Sequence, residues 1–132
     1  LKSSKLFVSI EDPFAENDVS GFKKFLRTKS ALVIGDDLTA TSPALIGKFS
    51  REKAINAVII KPNQIGTITE TCAAIKVAKR NDLKIIVSHR SGETEDDFII
   101  HLAKACVGDG VKIGAPARER ILKYNELIRL YG

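Results

Sequence analysis

Five short runs of apolar, mostly β-branched residues recur along the chain, and longer amphipathic stretches separate them. The runs start 25, 26, 27 and 27 residues apart, a spacing that suits one strand followed by one helix. Because the runs are almost continuously apolar, they are typical of parallel strands that are covered on both faces. They comprise residues 6–10, 31–34, 57–60, 84–87 and 111–113.

Helical periodicity marks the segments between these runs, since apolar residues return there every three or four positions. It predicts helices over residues 18–28, 43–54, 68–78, 98–105 and 121–131. The clearest apolar stripe consists of Ile68, Thr71, Cys72, Ile75 and Ala78. The apolar positions of the last helix are Ile121, Tyr124, Leu127, Ile128 and Tyr131.

The alternation of strands and helices predicts an α/β fold with parallel strands and right-handed crossovers. A closed (β/α) barrel takes eight such units and about 250 residues. The sequence therefore predicts five consecutive βα units of an incomplete, TIM-type barrel, with residues 1–132 forming a single domain. An open α/β sheet of the flavodoxin type is the structural alternative.

A polar loop over residues 88–96 follows the fourth run and precedes a helix with an acidic start. Gly92 permits a sharp turn there, and the acidic residues favour the positive end of the helix. His89, Arg90 and Ser91 lie beyond the carboxyl end of a strand, where α/β folds place ligand sites. This pattern predicts an anion-binding loop. The alternative is a solvated turn whose arginine and serine only cap neighbouring backbone.

Charged residues follow the first three predicted strands, and a lysine lies in the fifth. They are Glu11, Asp36, Lys61 and Lys112. Carboxylates on adjacent strands can converge on a divalent cation such as Mg²⁺, and a lysine that is partly desolvated among other cations can serve as a base. As alternatives, Asp36 or Asp37 caps the next helix, and Lys61 only forms an ion pair with Asp36.

The composition of the chain excludes several classes of protein. With 44% hydrophobic and 28% charged residues, the chain is typical of globular proteins. No apolar run approaches the roughly 18 residues of a membrane span, and the N-terminus lacks the hydrophobic region of a signal peptide. The net charge of +5 is spread along the chain without interleaved aromatic residues, so nucleic-acid binding is not expected. We expect a soluble, cytoplasmic protein.

Two further residue types bear on possible sites and on the chain ends. Cys72 and Cys106 lack a C-x-x-C pairing, and the chain has only two histidines, so a zinc site is not expected. Both cysteines are predicted to be small buried side chains. The sequence contains no methionine and starts at Leu1, so we expect a processed product or a chain that lacks an upstream part.

Five blocks of the sequence resemble the C-terminal signature of the enolases, the phosphopyruvate hydratases of glycolysis. The blocks are SIEDPF (residues 9–14), GDDLT (35–39), IKPNQIGT (60–67), SHRSGETED (88–96) and KIGAPAR (112–118). The similarity extends to residues 124–129 and covers nearly the whole chain. It implies an enolase barrel and the reversible, Mg²⁺-dependent dehydration of 2-phosphoglycerate to phosphoenolpyruvate.

The resemblance also implies a role for each residue at the strand ends. Glu11 and Asp36 are implied magnesium ligands, and Lys61 is the implied base that removes the proton α to the substrate carboxylate. The implied substrate-binding residues are His89, Arg90, Ser91 and Lys112. Of these, Arg90 and Ser91 hold the phosphate, and Lys112 also steadies the enediolate intermediate.

Enolases normally carry a small N-terminal domain and the first barrel strands before this region, and those parts supply the general acid and another metal ligand. They are absent from this sequence. We therefore expect the chain to be inactive in isolation and to need a complementing N-terminal enolase segment or self-association. The alternative is a non-catalytic binding or structural module of enolase-like fold.

Overall fold

Five parallel strands lie side by side in chain order, and each is followed by at least one helix. The structure, a computed structural model, describes residues 8–28 and 31–132. The strands are β1 (Ser9–Glu11), β2 (Leu32–Gly35), β3 (Ala57–Ile60), β4 (Lys84–Ser88) and β5 (Gly110–Lys112). The register pairs Glu11 with Ile34 and Ser88 with Lys112. The predicted series of five βα units with a parallel sheet is confirmed.

Six α-helices connect and cover the strands within the described ranges. They are α1 (Val19–Thr28), α2 (Pro43–Arg51), α3 (Pro62–Ile65), α4 (Ile68–Arg80), α5 (Phe98–Ala105) and α6 (Ile121–Tyr131). A single 3-10 turn, Arg118–Arg120, precedes α6. None of the helices in these parts of the chain is long and apolar enough to cross a membrane.

The two faces of the sheet bury different sets of side chains, because successive residues of a strand point to opposite faces. One set packs with the helices in the main core; its strand members are Val33, Val58, Ile60, Ile85 and Val87. The other set forms a smaller cluster on the opposite face, here called the inner face, and comprises Ile34, Ala57 and Ile59 with the partly buried Leu32 and Ile86. Asp36 and Lys61, which lie two positions beyond Ile34 and Ile59, therefore belong to the inner face.

Several element boundaries differ from the sequence prediction. Leu6 and Phe7 of the first predicted run lie outside the described residues. The helix predicted over 43–54 ends at Arg51, since Lys53 takes a left-handed backbone conformation with φ 54°. The short helix α3 was not predicted, and it is bounded by Pro62 at its first turn and by Gly66 at φ 106°.

Two predicted apolar faces are partly wrong. The buried residues of α4 are Thr71, Ala74, Ile75 and Ala78. Cys72 is exposed and Cys106 is buried, so the prediction of two buried cysteines holds only for Cys106. In α6 the buried residues are Lys123 and Glu126, whereas Ile121, Ile128 and Tyr131 are exposed. Apolar periodicity missed these two buried charged residues because both are held by polar partners near the helix.

Candidate functional site

Four charged side chains meet on the inner face of the sheet, where the strands reach their carboxyl ends. They are Glu11 from β1, Asp36 just after β2, Lys61 just after β3 and Lys112 from β5; we call this set the mouth cluster. The side chain of Asp36 is only 7% exposed and that of Lys61 only 12%. The Lys61 Nζ lies 2.6 Å from Asp36 Oδ1 and 2.7 Å from Oδ2.

Lys112 joins the two edges of the sheet. Its Nζ lies 2.6 Å from Glu11 Oε1 and 3.4 Å from Asp36 Oδ2, although β5 and β1 are the outermost strands. A lysine side chain can span that gap only because the sheet curls around its inner face, as in part of a barrel. The structure therefore brings together all four predicted strand-end residues.

The charges in this cluster stabilise one another. Burial by itself would raise the pKa of the Asp36 carboxyl, but hydrogen bonding to Lys61 and Glu11 and the charges of Lys61 and Lys112 together hold the pKa below its ordinary value. Burial would likewise lower the pKa of Lys112, and the carboxylate of Glu11 reverses this and raises the pKa. Asp36 is thus a carboxylate and Lys112 an ammonium ion at neutral pH.

Two residues that sequence reasoning passed over hold the mouth cluster in place. The Asp12 carboxylate accepts hydrogen bonds from the backbone N–H groups of Asp36 (3.1 Å) and Asp37 (2.7 Å). The buried Thr41 hydroxyl accepts a hydrogen bond from the Lys61 backbone N–H at 3.0 Å. The adjacency of Glu11 and Asp12 was a visible signal, whereas nothing in the sequence pattern indicated the bond from Thr41.

The alternatives raised for Asp36 and Lys61 have different outcomes. Helix α2 is capped by Ser42, whose hydroxyl accepts from the Leu45 N–H at 3.5 Å, so neither Asp36 nor Asp37 is the helix cap. The predicted ion pair between Lys61 and Asp36 does form. The Nζ of Lys61 is therefore engaged by a carboxylate in this structure.

The polar loop predicted over residues 88–96 comprises residues 89–97 in the structure, because Ser88 ends β4 and α5 begins at Phe98. It lies beside the mouth cluster at the same end of the sheet. The His89 N–H bonds to the Lys112 carbonyl at 3.3 Å, and the Arg90 Nη1 donates to the Asn63 carbonyl at 3.3 Å. Arg90 and Ser91 are exposed. The arginine thus caps neighbouring backbone, as one interpretation of the sequence held, while its guanidinium stays accessible from solvent.

The side chain of His89 is largely buried, with 12% of it exposed. Desolvation, reinforced by the nearby positive charge of Arg120, lowers the pKa of its imidazole below the ordinary value of 6.5. Its Nδ1 lies 4.0 Å from the Glu93 carboxylate and has no hydrogen-bond partner among the described residues. The imidazole is therefore neutral at neutral pH and retains a free nitrogen.

A third group of titratable side chains lies away from the mouth. Asp97 and His101 of the α5 region face Glu126 of α6, and their closest ligand atoms lie within 4.8 Å of one another. His101 Nε2 is 3.0 Å from Glu126 Oε1. Both oxygens of Glu126 already accept hydrogen bonds from Arg129, at 2.5 and 2.7 Å. These residues therefore form an ion-pair network between α5 and α6.

Comparisons with known proteins agree with the sequence blocks and with the curled parallel sheet. The sequence model of a family described as "Enolase, C-terminal TIM barrel domain" matches residues 1–131. A curated protein described as "Enolase", from Anaplasma marginale (strain St. Maries), is 53% identical over 127 residues. That similarity covers 93% of this chain and 29% of the relative, so the chain spans less than a third of the relative's length.

Proposed function

Since the chain belongs to the enolase family, we propose that it forms the C-terminal part of an enzyme that reversibly dehydrates 2-phosphoglycerate to phosphoenolpyruvate. The observation that carries this proposal is the mouth cluster. Two carboxylates and two lysines from four different strands converge on one inner face, and stabilising the sheet alone requires no such convergence. Charges that face one opening are suited to an anionic substrate held with a cation.

Glu11 and Asp36 fit a hard divalent cation such as Mg²⁺. One cation, the Lys112 ammonium, already lies within 3.4 Å of both carboxylates, so both can reach a common positive charge. The buried Asp36 Oδ1 also lacks a well-aligned hydrogen bond. When bound, Mg²⁺ would polarise the substrate carboxylate and lower the energy of the enediolate that forms from it.

Lys61 is the proposed base. In its neutral form, the Nζ would accept the proton α to the substrate carboxylate, a very weakly acidic position. Binding of a divalent cation to Asp36 would compete with the ion pair between Asp36 and Lys61, and this would free the Nζ to face the substrate. Lys112, whose pKa is raised, would remain charged and offset negative charge that develops on the substrate.

The polar loop would bind the phosphate. Arg90 presents an exposed guanidinium that can make two parallel hydrogen bonds to phosphate oxygens, and Ser91 adds a hydroxyl. The neutral His89 would lie against the substrate without adding charge. On binding, the guanidinium would exchange its single bond to the Asn63 carbonyl for the phosphate.

The rest of the site must come from other residues. Departure of hydroxide needs a general acid on the opposite side of the reacting carbons from Lys61, and the mouth cluster supplies none. We propose that a complementing N-terminal enolase segment supplies it and closes the barrel against β1 and β5. A second copy of the chain is the alternative occupant of these open edges.

The test is an absorbance assay for phosphoenolpyruvate with the chain joined to a complementing segment. Turnover is expected with the segment and not without it, and Lys61→Ala should abolish it. Lys79→Ala is the matched control, because Lys79 lies on the exposed side of α4. Turnover by the purified 132-residue chain alone would refute the proposal that a complementing segment supplies the general acid.

A non-catalytic binding module is the second candidate. The observation that favours it is the mutual neutralisation of Lys61, Asp36, Lys112 and Glu11, which leaves each charge paired. A well-folded complex that binds 2-phosphoglycerate but shows no turnover would support this alternative.

A further inference from the structure

The buried lysine of α6 plays no part in the proposed chemistry, and its burial requires a reason. Lys123 is only 1% exposed, whereas lysine side chains are almost never fully buried unless their charge is satisfied. Its Nζ donates to the Thr94 carbonyl at 2.8 Å and lies 3.9 Å from Glu93 Oε2. Both partners belong to the polar loop, so the buried charge is directed at that loop.

Glu93 extends this contact toward the substrate-facing end of the loop. The carboxylate oxygen that faces Lys123 also lies 4.0 Å from His89 Nδ1, and the other oxygen accepts from the Thr94 N–H at 3.0 Å. Lys123, Glu93 and His89 therefore form one polar series that runs from the helix to the residue beside Arg90. Glu93 is only 12% exposed, so water screens this series weakly.

Packing alone does not fix the loop. A cavity of about 360 Å³ lies between the loop and the start of α3 at Pro62 and Asn63. Arg90, Ser91 and Gly92 of the loop are exposed. The neighbouring residue on α6, Tyr124, bonds through its hydroxyl to the Gly114 carbonyl. Two consecutive α6 side chains thus hold the two loops that flank the mouth cluster.

We propose that Lys123 is a positioning residue for the phosphate-binding loop, acting through Thr94 and Glu93 on His89 and Arg90. This inference rests on the proposed function, because it assumes that the loop meets the substrate phosphate. Phosphate contacts are present in both the ground state and the transition state. Loss of the correct loop position should therefore weaken substrate binding and leave the chemical step almost unchanged.

The central variant is Lys123→Met, which keeps an unbranched side chain of nearly the same length and removes the ammonium group. In the full protein with its complementing segment, the KM for 2-phosphoglycerate should rise about three- to ten-fold, with kcat changed less than about two-fold. The matched control is Lys104→Met, because Lys104 also donates to a backbone carbonyl, that of Leu130 at 3.0 Å, but outside the loop. This control should leave KM unchanged.

A merely structural role would give a different result. Loss of folded protein lowers the apparent kcat at constant KM, and that outcome, or an unchanged KM, would overturn the proposal. If Lys123→Met fails to fold, Glu93→Gln tests the same series and should also raise KM. An unchanged KM in that variant would again reject the role of the series.

Amide hydrogen exchange separates this inference from the proposed function. In Lys123→Met, the amides of residues 89–97 should exchange faster, while those of β3 should not. If the wild-type complex shows no turnover, the proposed function fails. The exchange data then test by themselves whether Lys123 positions the loop. Unchanged exchange in the loop would refute it even if the enzyme were active.

Discussion

The mouth cluster and the polar loop lie at the same end of the sheet but are held in different ways. Asp36 and Lys61 emerge directly from central strands, are almost fully buried and pair with each other. The loop, whose Arg90 and Ser91 are exposed, is instead contacted from α6 by the Lys123 ammonium. Strand ends keep the distances between groups fixed, whereas loops can adjust when a ligand arrives. In the proposed function, the sheet would set the place of proton transfer and α6 would set the place of phosphate recognition.

The largest effect should come from the sheet itself. Ile60→Ala removes a fully buried side chain between β3 and the helices, which should lower the free energy of unfolding by about 2–5 kcal/mol. Urea denaturation followed by circular dichroism measures the change. Ile68→Ala, at a position that is 50% exposed, is the control and should cost less than about 0.5 kcal/mol. Equal losses for the two variants would contradict a core centred on β3.

A smaller effect is expected within the mouth cluster. Asp36→Asn leaves the ammonium of Lys61 without its close partner, which should reduce stability by about 1–3 kcal/mol. Adding Lys61→Met should recover part of that loss, because no buried charge then remains unpaired. Hydrogen exchange of the loop amides should not change in either variant. Faster exchange in the loop would mean that the two regions are not independently held.

Parallel pairing explains why the mouth cluster could be predicted from sequence. Apolar runs fixed which segments are strands, and parallel strands bring their carboxyl ends to one edge. Glu11 and Lys112 could then be placed at that edge although they are 101 positions apart in the chain. The curl that brings these outermost strands within ion-pair distance followed from the resemblance rather than from the apolar pattern.

The support of the loop could not be predicted, because periodicity counts apolar residues. The apolar periodicity predicted that Ile121 and Ile128 lie on the buried side of α6. In the structure both residues are exposed, and Lys123 is buried. The position of a buried lysine depends on where a carbonyl oxygen is available, in this case that of Thr94. A one-dimensional pattern does not contain that information. The hydrogen bond from Arg90 to the Asn63 carbonyl could not be predicted for the same reason.

The smallest effect concerns the loop and pH. Desolvation and the positive charges of Arg120, Lys123 and Lys112 lower the pKa of His89, while Glu93 alone opposes them. Since the folded-state pKa lies below the unfolded value of about 6.5, the stabilisation by neutral His89 is fully present above that pH. It is lost as pH falls through the folded-state pKa, because the unfolded chain then binds more protons.

His89→Gln keeps a polar side chain and removes this titration. Between about pH 7 and pH 5.5, the free energy of unfolding should fall more steeply for the wild-type chain than for the variant, as measured by urea denaturation at each pH. Parallel profiles would show that His89 is not desolvated in the folded protein. In that case the loop would be open to water on all sides, and its contrast with the buried pair of Asp36 and Lys61 would be greater than the structure indicates.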